Sequence, residues 1–212
     1  MAKDFTGADP RLHSTTRKLS DSNLATKQKI LDAASEIIFS EGHEEMQISK
    51  LASDAGISRL TIYRYFPTRE CIVSEVVSAS MLSWLDELPP GDSFGSTAGE
   101  RIENITKVML EIAESNRRML SAIFACIMSN DPSVKQHQKI LVDAQYSILK
   151  CVLGDYVDVL EDCGYTRVYS HLIFGSYALL CTENASHEEC VEDVIKPIKK
   201  LLGPKWNKKL KK

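Results

Sequence analysis

The chain has 212 residues, 43% hydrophobic and 26% charged, with 10 glycines and 7 prolines, enough for one small domain plus a larger helical one. Its net charge of −3 argues against a wholesale nucleic-acid coat protein, and no segment approaches the roughly 18 continuous apolar residues of a membrane span. Basic and acidic residues number ten and ten over residues 1–70, eight and nineteen over 71–195, and eight and none over 196–212. An acidic middle is repelled by a duplex, so only a face at the N-terminal end suits phosphates.

Residues 1–25 lack an apolar run and mix Asp4, Asp9, Arg11, Arg17 and Lys18 with Ser and Thr. They are expected to form a disordered arm rather than a secretory signal, in which Arg11, Arg17 and Lys18 suit a reach into a neighbouring minor groove. From Lys27 to Glu41, the residues Ile30, Leu31, Ala33, Ala34, Ile37, Ile38 and Phe39 make a broad apolar helical face, ended by Glu41-Gly42.

Residues 47–66 read as two short helices joined by a tight turn. Gly56 sits between one apolar-periodic run (Ile48, Leu51, Ala52, Ala55) and a second (Ile57, Leu60, Tyr63), each spaced for one helical face. A glycine accepts the positive backbone angle that stops the first helix, and Ser58 can cap the second. The second helix crowds Arg59, Thr61, Tyr63, Arg64 and Tyr65 into seven positions, a mixture that reaches base edges and phosphates when such a helix lies in a major groove. Pro67 then disfavours helical geometry at Phe66 and lacks an amide proton, which forces a break, and Thr68 can cap the next helix.

Taken together, Ile30-Leu31-Asp32-Ala33-Ala34, Phe39-Ser40-Glu41-Gly42, Ala55-Gly56-Ile57-Ser58, Thr61-Ile62-Tyr63-Arg64-Tyr65-Phe66 and Pro67-Thr68-Arg69-Glu70 resemble the DNA-binding domain of the TetR family of bacterial transcriptional regulators. The resemblance covers about residues 26–75. It implies an all-α protein with an N-terminal three-helix helix-turn-helix domain (26–70) and a larger C-terminal helical ligand-binding and dimerisation domain (71–203), followed by a basic tail (204–212). It further implies a cytoplasmic dimer that binds a palindromic double-stranded operator, most often as a repressor, and leaves it when a small molecule binds.

The same resemblance distributes roles among residues. Arg59 is placed to read a base, since a guanidinium bonds both acceptors of guanine at once. Thr61 is placed to meet a base or a phosphate, Tyr63, Tyr65 and Arg69 to meet phosphates, and Arg64 to lie near the groove. Ser58 belongs to the same stretch. Three positions depart from the family pattern. Leu60 stands in place of a small residue, commonly glycine, and either packs on a thymine methyl or pushes the helix outward. Met46 and Gln47 stand where threonines often open the first helix of the pair, though the Gln47 amide can still reach a phosphate. Ile48, Leu51, Ala52, Ile57, Ile62 and Phe66 are expected to form the small domain's core.

Beyond Glu70 the helical period continues, with helices expected over 68–88, 98–114, 117–129, 133–161, 166–183 and 187–202 and a loop over Leu88–Ser96. The resemblance makes the last two helices a four-helix interface with a second copy, through Val168, Leu172, Gly175 and Ala178 on one and Val191, Val194, Ile195 and Ile198 on the other. Met109, Phe124, Met128, Tyr146 and Phe174 offer bulky, adaptable lining for an apolar or amphipathic effector, although such a stripe is more often plain core. The lysines of the tail read as a solubilising terminus.

The six cysteines never form Cys-x-x-Cys and read as free thiols. The five histidines lack ligand spacing, no glycine-rich phosphate loop appears, and neither metal, cofactor nor catalytic residue is expected. The rival reading is a helical small-molecule-binding or interaction protein whose DNA-binding head has degenerated at Met46, Gln47 and Leu60.

Overall fold

A computed structural model of the protein describes residues 21–210. Among the described residues there are ten α-helices: α1 (Asp21–Ser40), α2 (Ile48–Asp54), α3 (Arg59–Tyr65), α4 (Arg69–Asp86), α5 (Ala98–Ser115), α6 (Arg117–Ile127), α7 (Lys135–Leu153), α8 (Tyr156–Glu161), α9 (Tyr165–Cys181) and α10 (His187–Leu202). Arg11, Arg17 and Lys18 of the expected arm lie outside the described residues. Helix α1 starts at Asp21, inside the segment expected to be disordered. Its first turn is anchored tertiarily, because the Tyr65 hydroxyl donates to Asn23 Oδ1 at 2.9 Å.

The helices fall into two compact units. Among the described residues, the first comprises 21–83 and 121–142, and the second 84–120 and 143–210. The first unit therefore extends well past the boundary expected at residue 70, for reasons visible in its bonds. Thr68 caps α4 by accepting from the Cys71 amide at 3.1 Å and also meets the Ser133 hydroxyl at 3.1 Å. Further along α4, the Ser78 hydroxyl lies 3.2 Å from Nδ1 of His137. Gln138 holds the end of α6 by donating to the carbonyls of Cys126, Ile127 and Ser129.

The core of this unit follows the sequence period. Ile30, Ala34, Ile37 and Ile38 are buried along one face of α1, with Met46, Leu51, Ile62 and Phe66 from the segments that follow. Each fully buried side chain of this kind contributes roughly 1.5–3 kcal/mol. Met46 has no exposed surface, so the residue standing in place of a threonine is a core element. A salt bridge joins α1 to α4, with Lys27 Nζ 2.5 Å from Glu75 Oε1 and 5.4 Å above the Phe66 ring.

In the second unit, α5, α9 and α10 pack on one another. Both α5 and α10 open with complete capping boxes, Thr97 with Glu100 and Ser186 with Glu189, which satisfy amides that would otherwise lack partners. The helix expected over 133–161 is instead two. Gly154 takes φ +59°, a left-handed conformation that ends α7 and that a glycine adopts without steric cost.

The C-terminal segment also differs from expectation. Trp206 is buried, and Ala98 donates to the Lys208 carbonyl and Leu210 to that of Ser96. A Cβ on Gly99 would lie 2.3 Å from the Trp206 ring, so the indole sits directly on helix backbone. The tail expected to be a loose lysine-rich terminus is, through residue 210, packed structure.

Candidate nucleic-acid interface

The turn between α2 and α3 is built from its local sequence. Gly56 has φ +59°, its amide bonds the Ser53 carbonyl and the Ile57 amide bonds that of Ala52, the paired bonds of a Schellman ending. Ser58 then accepts from the Thr61 amide at 3.1 Å, capping α3. Its hydroxyl also meets that of Thr61 at 2.9 Å.

Helix α3 divides cleanly by face. Ile62 points inward, whereas Arg59, Leu60, Tyr63 and Arg64 are exposed, Leu60 by 76% and Tyr63 by 52%. Positions 59, 60, 63 and 64 share one side of a helix of 3.6 residues per turn. Among the described residues neither arginine pairs with a carboxylate. The result is a surface with two guanidiniums, one phenol and one aliphatic side chain, beside the capped N-terminus of a short helix. Such a surface can donate to base edges and phosphates and offer a methyl contact.

Two residues expected to touch phosphate are placed otherwise. Arg69 donates from Nε to the Met46 carbonyl at 2.8 Å and from Nη2 to the His43 carbonyl, and its Nη1 lies 3.4 Å from Glu70 Oε1. Its guanidinium thus closes the chain between α1 and α2. Tyr65 is turned to Asn23 on α1. Gln47 remains exposed, but its amide donates to the Glu44 carbonyl at 2.9 Å. Sequence reasoning overlooked Lys29, an exposed residue of α1 whose Nζ would be 3.8 Å from a Cβ at Gly56. Only tertiary packing brings it beside the turn, so no local motif marks it.

The other expected sites divide. Val194 and Ile198 are buried in the chain's own core, while Val168, Gly175 and Ala178 are exposed and Leu172, Val191 and Ile195 half-buried. Of the expected effector lining, Met128 is 76% exposed, and Tyr146 is on the surface with its hydroxyl bonded to Asp158 at 3.0 Å. Met109 is buried, Phe124 is half-buried, and Phe174 meets Tyr177 edge to face.

The family model for "Bacterial regulatory proteins, tetR family" matches residues 30–76, the span that carries α2, the Gly56 turn and α3. Residues 30–76 are a TetR-type DNA-binding domain. A chain with that domain is a DNA-binding transcriptional regulator. It is 24% identical over 152 residues to the fatty acid metabolism regulator protein of Bacillus subtilis, covering 70% of this chain and 77% of that one. The fold of this chain is similar to that of a TetR transcriptional regulator from Rhodococcus sp. RHA1, with TM-score 0.66, 21% identity and coverage of 86% and 98% of the two chains. It is also similar to FadR from Bacillus subtilis, solved in complex with stearoyl-CoA, with TM-score 0.57, 19% identity and coverage of 80% and 96%.

Among the described residues, no group of His, Cys, Asp and Glu is arranged to hold a metal ion, and no helix is long and apolar enough to cross a membrane. The cysteines are free thiols. Burial pushes the Cys126 thiol up to about 12, which keeps it protonated and inert.

Proposed function

We propose that this TetR-family regulator is a cytoplasmic repressor that binds a palindromic operator as a homodimer and is released by an apolar or amphipathic effector. The observation that carries the reading is the exposed face of α3, where Arg59, Leu60, Tyr63 and Arg64 stand clear of the fold. Arg59 reads a base, Tyr63 and Arg64 hold the backbone, and the Leu60 side chain packs on a thymine methyl. Thr61 and Ser58 stay close to the cap and present the helix start to a phosphate.

Dimerisation follows from the need to place two such helices in successive major grooves. The stripe of exposed Val168, Gly175 and Ala178 and half-buried Leu172 on α9, with Val191 and Ile195 of α10, supplies the contact. The stearoyl-CoA bound to FadR supports an effector with a long apolar part. An effector that favours a conformation with wrongly spaced recognition helices lowers operator affinity by its difference in affinity for the two states.

The experiment is selection of preferred sites from random duplexes, followed by titration across salt concentrations. An enriched palindrome and a pronounced salt slope are expected. Arg59→Ala should lower affinity for the selected site by roughly 5- to 150-fold, corresponding to about 1–3 kcal/mol, and relax preference at one base position. A folded protein that enriches no site would favour the rival reading, a helical binding protein with a degenerate head.

A further inference from the structure

The second unit contains a line of buried, uncharged polar groups that its packing leaves incomplete. Thr106 on α5 donates to the Ile102 carbonyl at 2.6 Å, so the 2.9 Å contact between Thr106 and Tyr169 of α9 is a bond that the phenol donates. Tyr177, two turns along the same face of α9, has the Gln145 side chain of α7 beside its hydroxyl. Gln145 is 3% exposed, and its Oε1 accepts no hydrogen bond. This amide oxygen is a buried acceptor waiting for a donor. Thr166, also on the buried face of α9, has a second unpartnered oxygen.

A buried acceptor without a donor costs about as much as a lost hydrogen bond, and native interiors rarely contain one without a reason. The surroundings define what would satisfy it. Among the described residues, Arg101 is the one buried charged side chain of this unit, and it donates to the carbonyls of Gly95 and Val152. A carboxylate or ammonium arriving at Gln145 would enter a unit whose one buried charged side chain among the described residues already serves backbone carbonyls, and an unpaired buried charge is strongly unfavourable. Burial raises both phenols above their ordinary range, so they stay neutral hydroxyls.

We propose that Gln145, Tyr177, Tyr169 and Thr106 form the polar end of the effector site, receiving a neutral group that donates and accepts at once, a hydroxyl or carboxamide, on an otherwise apolar molecule. This rests on the reading that the regulator responds to an effector and specifies its chemistry. The ligand's O–H or N–H donates to Gln145 Oε1, and its oxygen accepts from the Tyr177 hydroxyl. No bond is made or broken.

The test is a matched set of probes, 1-dodecanol, dodecanamide and dodecanoate, titrated calorimetrically into the full chain. The alcohol and the amide should bind at least tenfold more tightly than the carboxylate. That preference should vanish in Gln145→Leu and weaken in Tyr177→Phe. The double variant removes both partners with little change in shape, so it should melt no lower than the parent while showing no preference. Equal binding of dodecanoate, a preference surviving in the double variant, or failure of all three probes to bind would each overturn the assignment. Operator affinity without any probe is measured on the same samples. Its loss would count against the operator reading and leave the probe result standing.

Discussion

A guanidinium can serve a DNA-binding head in two incompatible ways, and Arg59 and Arg69 take one each. Arg59 has no carboxylate partner among the described residues and stands on the outer face of α3, whereas Arg69 has nitrogens on the carbonyls of Met46 and His43. Hydrogen bonds from a charged donor are worth about 1.5–3 kcal/mol when removal strands their acceptors. Arg69→Ala should therefore lower the thermal midpoint by several degrees while leaving the salt slope of DNA binding unchanged. A reduced slope at unchanged stability would return Arg69 to the phosphate contacts. Sequence alone could not separate these roles, because both arginines belong to the family-like stretch and only the path of the α1–α2 connection decides which carbonyls Arg69 meets. The same holds for Tyr65 and Lys29. Met46 was legible as a departure, but its burial was not.

Helix α4 is where local sequence and tertiary bonding meet. The Pro67 break and the Thr68 cap were readable, since both act within a few residues. The attachments of α4 were not, because they join positions far apart: Lys27 to Glu75, Ser78 to His137 and Thr68 to Ser133. The division of 133–161 at Gly154 escaped reading because a lone glycine within an apolar period does not announce a left-handed turn. These attachments make stability depend on pH. Burial holds His137 below its ordinary 6.5, with Glu75 opposing and Lys27 adding to the shift. Burial likewise holds His43 low, opposed by Glu44 and aided by Arg69. The unfolded chain then binds protons that the folded one refuses, so this stability is complete above about pH 6.5 and is lost as pH falls below it. Thermal melts at pH 7.5 and 5.5 should show a lower midpoint in acid, and His137→Gln should reduce the difference. An identical pH dependence in that variant would exclude His137 as a source.

At the scale of the whole molecule, the assembly can be tested at a position that costs the single chain nothing. A Cβ added at Gly175 meets no atom within 4 Å, and the residue lies on the exposed stripe of α9. Gly175→Glu should leave the far-ultraviolet dichroism intact and shift the mass measured by light scattering from dimer to monomer. Operator affinity should fall with it, since one recognition helix cannot span a two-fold site. A dimer of unchanged mass would place the interface elsewhere. The broad division into a DNA-reading head and a helical remainder was legible because the helix-turn-helix is a local pattern. The line of Thr106, Gln145, Tyr169 and Tyr177 draws its members from three helices, so no local pattern in the sequence assembles it.

The seating of Trp206 on Gly99 also gives the protein an internal optical probe. The sequence has 2 tryptophans, and the other, Trp84, is half-buried. In a Trp84→Phe background all indole emission would come from the C-terminal segment. With the ring buried, that emission should be blue-shifted and poorly quenched by iodide. Gly99→Ala places a methyl where the ring now lies, so it should shift the emission to the red and admit the quencher. A spectrum indifferent to Gly99→Ala would mean the indole rests elsewhere. Otherwise, the colour of one residue's light reports whether the end of the chain is docked.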